Sequence, residues 1–393
     1  MSFSAPSTSP YLETAAGLRA VFARDAAIRD QEGGRPVEQI RQLREAGLLT
    51  IQIPAEHGGA GEPWSTVLRI TRELSRTDGS LGHLYGYHFN ALNSAAVRGS
   101  PQQRESILTA SARHAWFWGN SGNSFSRSLF GRREGKHWVL NGHRPFSSGT
   151  HVADRIVVAW EDEATDERMF AAVEADRLGI TVLDDWDGIG QRQTGSGTVT
   201  YANVRVHESE VLDTRHNEGQ AFASLGPQLQ QSVLLNVFIG SAQGALDEAR
   251  AYTTTKSRPW IHSGVERHVD DPWIQRVYGE LYTKTQAATL LADQALDAVD
   301  LAWAKGKALT DSERGEAAIA IATANAFAGE VALDVTSRIF EVMGARSTDR
   351  AYGYDRFWRN VRTHTLHNPA EYKTRTVGTW FLTGAYPEPS VFR

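Results

Sequence analysis

Proton-moving chemistry near neutral pH falls first to the 13 histidines of this chain, because imidazole changes charge between pH 5 and 8 without help from its surroundings. His83 precedes Tyr87 by one helical turn in Ser80-Leu81-Gly82-His83-Leu84-Tyr85-Gly86-Tyr87-His88, so a helix there would carry both side chains on one face. His364 and His367 lie in Thr363-His364-Thr365-Leu366-His367-Asn368-Pro369, just after a predicted helix. Taken singly, each histidine is more readily a packing or surface residue than a catalyst. His88, His143 and His364 are given that role, with His364 at most supporting His367 and the other two half-exposed. The chain has no cysteine, which removes thiolate nucleophiles, disulfides, iron–sulfur clusters and Cys-based zinc sites. Redox chemistry therefore needs a cofactor, and no metal site is expected.

The elements that must position these groups are legible in outline. At about 100–200 residues per domain, 393 residues suggest two or three domains. With 41 Lys+Arg against 46 Asp+Glu and a net charge of −5, the chain has no general cationic footprint for nucleic acid or anionic lipid. Residues 1–10 are Ser/Thr/Pro-rich and read as a loose arm without the basic and apolar parts of a secretory signal. No uncharged apolar run approaches the length of a transmembrane helix, so a cytoplasmic location is expected.

Through residue 115 the apolar spacing is helical, as in Leu18, Val21 and Phe22. Ser100-Pro101-Gln102-Gln103 carries a helix-start signature, and the glycines of residues 53–61 predict a turn. From 116 to 221 short β-rich runs appear, at 137–140, 155–160 and 198–206, separated by turn dipeptides including Asn141-Gly142. From 222 to 393 helical periodicity returns over 232–254, 272–305 and 310–343, with Gly306 and Gly344 where the patterns stop. The expected domains are thus an N-terminal helical domain at 1–115, a β-domain at 116–221 and a helical bundle at 222–393. There is no βαβ alternation and no G-x-G-x-x-G or G-x-x-x-x-G-K-[ST] fingerprint, which argues against Rossmann and P-loop enzymes.

This α, β, α order resembles the acyl-CoA dehydrogenase superfamily, an α+β fold with a middle β-barrel or sandwich and a C-terminal four-helix bundle. Residues 53–61 resemble its Pro-x-Glu-x-Gly-Gly-x-Gly turn. The 80–88 segment, Trp118-Gly119-Asn120, Asp185-Trp186, Ile189-Gly190-Gln191-Arg192-Gln193-Thr194 and the stretch from Phe357 to His367 are more specific. Together they resemble the reduced-flavin-dependent monooxygenases of that fold, the group of the dibenzothiophene and methanesulfinate enzymes, over nearly the whole chain. The resemblance implies a homotetramer that takes FMN, reduced to FMNH2 by a separate NADH-dependent reductase, and O2, and oxygenates a small organosulfur substrate in organosulfur metabolism or desulfurisation.

In such enzymes reduced flavin and dioxygen give a C4a-hydroperoxide, and the protein excludes water and handles protons. The resemblance implies that His367, His83 and Ser148 are catalytic, and that Tyr87, Asn120, Ser148, Arg258, Arg346 and His367 contact FMN, the arginines suiting phosphate. It gives Trp186 and Ser196 to the substrate pocket. Residues 121–136 match a mobile cover over the flavin but differ in length and composition, which leaves the substrate open. An acyl-CoA dehydrogenase with FAD would need a glutamate base; Glu341 and Glu371 flank the matching loop without fitting its motif. An N-oxygenating monooxygenase and a flavin-binding protein without chemistry are the remaining alternatives.

Overall fold

The computed structural model describes residues 9–212, 214 and 220–390; the expected N-terminal arm lies almost wholly outside them. Six helices open the chain: α1 (Pro10–Phe22), α2 (Ala26–Glu32), α3 (Val37–Glu45), α4 (Trp64–Ser75), α5 (Gly79–Arg98) and α6 (Pro101–His114). The Ser100 hydroxyl accepts from the Gln103 amide and the Gln103 side chain from the Ser100 amide, the reciprocal cap predicted for α6. At the start of α5 the Asp78 carboxylate accepts from the amides of Ser80 and Leu81 at 2.9 and 3.2 Å. Residue 86 of that helix must be glycine for close packing, since a Cβ there would lie 2.5 Å from Val233 Cγ1.

Seven strands follow: β1 (Trp118–Ser121), β2 (Leu129–Glu134), β3 (His137–Arg144), β4 (Arg155–Asp162), β5 (Arg168–Glu174), β6 (Ile180–Val182) and β7 (Val199–His207). They form one sheet in the order β1-β4-β2-β3-β7-β6, with β5 also paired to β4. β1 and β2 run parallel to β4, and the other pairs are antiparallel. Leu140, Ile156, Val158, Trp160 and Val204 fill its core. Asn141-Gly142 is not the predicted turn. It lies within β3 at a register shift opposite β7, a bulge in which Gly142 has φ 132° and a Cβ would meet the Ser128 carbonyl at 2.1 Å.

The remaining helices are α7 (Gly226–Thr255), α8 (Pro272–Ala304), α9 (Asp311–Met343), α10 (Asp355–Thr365) and α11 (Ala370–Thr383). α7 begins six residues before the predicted 232 because Pro227 starts its first turn, where a missing N–H costs nothing. The N-terminal helices and the bundle share one hydrophobic core through residues such as Leu68, Leu74, Val233, Leu281 and Val335. α9 alone among the described helices has an 18-residue window apolar enough to cross a membrane by length and composition; 56% of that window is buried against its neighbours.

Candidate functional site

Helix α5 carries His83 and Tyr87 one turn apart, as the spacing predicts, and α10 brings His364 to them. The three rings stack, with centroids of His83 and Tyr87 3.9 Å apart and of His83 and His364 4.5 Å apart. All three residues are buried. Among the described residues neither nitrogen of His83 has a hydrogen-bond partner, nor has Nδ1 of His364. Gln230 of α7 lies beside the Tyr87 hydroxyl without closing an ordinary hydrogen bond. Each unpaired buried polar atom costs about 1–3 kcal/mol, so a cluster of them marks a place where a ligand or water supplies the partners. Burial drives the His83 pKa down to about 3, helped by the nearby His367. Burial, then His83 and His367, lower His364, and burial raises the Tyr87 phenol. The stack is therefore neutral at pH 7.

His367 sits in the turn between α10 and α11, its amide donating to the His364 carbonyl at 3.1 Å. It opens onto a cavity of about 760 Å³ between α7, α9, α11 and the C-terminal tail, also lined by Gln228, Gln231, Ile321 and Phe125. Its surface is exposed to that space, while the surrounding walls and then the Lys373 charge lower its pKa to about 4. Solvent filling the cavity works against that lowering, yet even partial lowering from 6.5 leaves the ring neutral at pH 7.

A second group comes from the sheet. Ser148 and Ser196 pair through their hydroxyls at 2.7 Å, Ser196 continues to Thr194 at 2.8 Å, and the Ser148 carbonyl accepts from the Asn120 amide at 3.1 Å. The half-buried Trp186 donates from its indole to the Gln191 carbonyl at 2.8 Å. The Gln191 amide in turn donates to the Asn360 side chain of α10. Asn360 lies one turn from His364 on that helix, so the loop bearing Trp186, Thr194 and Ser196 is fixed against the face that presents the stack.

Arg258 and Arg346 are not brought to this cluster within one chain. Both follow the C-terminal ends of α7 and α9, where Arg346 donates to the Lys256 carbonyl at 2.8 Å and Arg258 is exposed. From Val233, which packs on Gly86, to the end of α7 is about 33 Å of helix at 1.5 Å per residue. Glu341 and Glu371 are exposed. His88 is fully buried rather than half-exposed, because its ring bonds the Leu49 carbonyl and accepts from the Trp118 amide; His143 is exposed. The segment after β1 is tied down by Arg168, which donates to the carbonyls of Gly122, Asn123 and Ser124 at 3.2, 2.7 and 3.1 Å.

Sequence reasoning gave His364 at most a supporting role and passed over Lys373. For His364 the signal was its helical spacing from Asn360, invisible until Asn360 is known to meet Gln191. No group of three or more metal-ligating side chains occurs among the described residues.

Residues 14–115 match the model of the acyl-CoA dehydrogenase N-terminal domain and residues 233–371 that of an acyl-CoA dehydrogenase C-terminal domain. A probable FMNH2-dependent monooxygenase of Pseudomonas putida is 38% identical over 386 residues, covering 98% of this chain and 97% of that one. The structure of methanesulfinate monooxygenase from Pseudomonas fluorescens superposes with a TM-score of 0.95 at 39% identity, over 98% of this chain and 100% of that one. A dibenzothiophene monooxygenase of a Paenibacillus species, solved with FMN and indole, gives a TM-score of 0.94 at 35% identity, over 98% and 100%.

Proposed function

Because this chain belongs to the acyl-CoA dehydrogenase family, and within it to the FMNH2-dependent monooxygenases, we propose that it passes one oxygen atom of dioxygen to the sulfur of a small organosulfur compound, a sulfide, sulfoxide or sulfinate. It is an oxidoreductase whose cofactor is FMN, received in reduced form from a flavin reductase; that reductase draws on NADH. Bound FMNH2 supplies the two electrons that divide dioxygen between product and water.

The chain's own part is to keep the reacting groups dry and to move protons. His367, a neutral imidazole at the cavity wall, accepts or returns a proton at a ring nitrogen, with His83 behind it. Ser148 presents a hydroxyl that can turn from Ser196 toward the flavin edge. Tyr87 and Asn120 contact the flavin, and Trp186 and Ser196 wall the substrate pocket. The donor set fits the ring of the cofactor: buried His83 and His364 nitrogens that no atom among the described residues meets, and a loop of hydroxyls tied to α10 through Asn360. Its phosphate is held by Arg258 and Arg346 of a second copy, since one chain keeps them a helix length away, and the assembly is a homotetramer in the cytoplasm.

The stacked His83, Tyr87 and His364, together with His367, whose charge bears on both stacked imidazoles and which lines the cavity, carry this reading. The test is purified protein supplied with FMN, reductase, NADH and labelled dioxygen, with mass spectrometry of a thioether, a sulfoxide and a sulfinate. One labelled oxygen in the product is expected. If photoreduced FMN binds and none of the three compounds gains oxygen, the sulfur assignment is wrong.

A further inference from the structure

Lys373 stands in the first turn of α11, where the helix dipole disfavours a cation. The residue is 9% exposed, and long ammonium side chains are seldom buried without a carboxylate partner. Among the described residues it makes no ion pair; its Nζ donates at 2.8 Å to the carbonyl of Asn368, the residue after His367. It also lines the cavity onto which His367 opens. A local rule broken twice, by burial and by dipole, points to a task at the site.

We propose that Lys373 is a positioning residue for His367: its ammonium pins the 367–368 turn through the Asn368 carbonyl and sets a positive charge near the imidazole, which adds to burial in keeping the ring neutral as the pH falls. The proposal rests on the role of His367 given above. The titratable and charged groups around that ring are Lys373 and Arg375 of α11, His364 of α10, His83 of α5, and Glu388 of the tail; α7 and α9 offer the cavity only uncharged side chains. Lys373 is the cation whose charge bears on His367. Its own pKa is lowered to about 8 by burial, with Glu371 opposing, so it remains mostly charged at pH 7.

Carbethoxylation by diethyl pyrocarbonate reads this directly, because the reagent attacks only the neutral imidazole and needs neither flavin nor substrate. The rate at His367, followed by peptide mass spectrometry on the full-length chain without FMN, is expected to be flat from pH 8 to 5.5 in wild type. In Lys373→Met it should fall at pH 5.5 by about a fifth for an upward shift of one unit, which raises the small protonated fraction there nearly tenfold. Lys373→Gln, which keeps a donor for the Asn368 carbonyl without the charge, should behave like Lys373→Met and serves if that variant does not fold. Lys373→Arg should restore the flat profile. Flat profiles in Lys373→Met or Lys373→Gln overturn the proposal. A wild type that oxygenates nothing leaves this readout intact and defeats only the assigned reaction.

Discussion

Replacing His83 with phenylalanine isolates what its ring nitrogens cost. Phenylalanine keeps a flat ring between Tyr87 and His364 but cannot take a proton. In the native chain the imidazole binds a proton only below about pH 3, because burial penalises the charged ring, whereas unfolded it does so below the ordinary 6.5. Between those values the unfolded state holds more protons, so wild-type stability falls as pH drops through the window. Applying RT ln[(1 + 10^(6.5−pH))/(1 + 10^(3−pH))] to the His83 values, the loss from this group at pH 5 relative to pH 8 is about 2 kcal/mol. His367 and His88 titrate in both proteins and cancel in the comparison, and His364 is held down first by burial, which phenylalanine preserves. Urea unfolding of the FMN-free chain, followed by tryptophan fluorescence at one protein concentration, measures the difference. Wild type should lose about 2 kcal/mol more than His83→Phe between pH 8 and pH 5. Equal losses would mean that native His83 titrates near 6.5 and is therefore solvated, which a dry stack forbids.

His367→Ala should lower oxygenated product by about 10²–10⁴-fold, the usual worth of a positioned acid or base, while hydrogen peroxide released per FMNH2 rises; unchanged product removes His367 from the chemistry. Gly86→Ala sets a methyl 2.5 Å from Val233 Cγ1, and overpacking of this kind costs about 1–3 kcal/mol, read as a lower melting temperature. Arg168→Met releases the carbonyls of residues 122–124, so limited proteolysis should cut between 121 and 128 faster than in wild type, and an unchanged rate means that other contacts hold the segment.

The order of helices, strands and helices was legible because periodicity and caps are local signals: the Ser100 box and the ends of α8 and α9 fall within a residue of their predicted places. The Asn141-Gly142 bulge was not, because the same dipeptide makes a tight turn when the next strand folds back and a bulge when the strand continues. His83 and Tyr87 could be placed on one face from spacing alone. That His364 joins them could not, because it depends on how α10 lies across α5, which the Asn360 to Gln191 contact helps to fix. Family resemblance singled out Arg258 and Arg346, and a matched position could not tell that both follow the far ends of α7 and α9, away from the stack.

The stack, the orphaned nitrogens and the buried ammonium share one logic. Each is unfavourable in the chain by itself, and each is held by elements whose own packing is rigid: α5 locked to α7 through Gly86, α10 locked to the sheet through Asn360, α11 closing on its own turn through Lys373. Rigid walls matter here because a neutral imidazole has two arrangements of its proton, and the neighbour at the other nitrogen selects between them. With no partner among the described residues on either nitrogen of His83, that selection passes to whatever enters the site. The ring can then serve as donor or acceptor according to its guest, without the surrounding fold having to move.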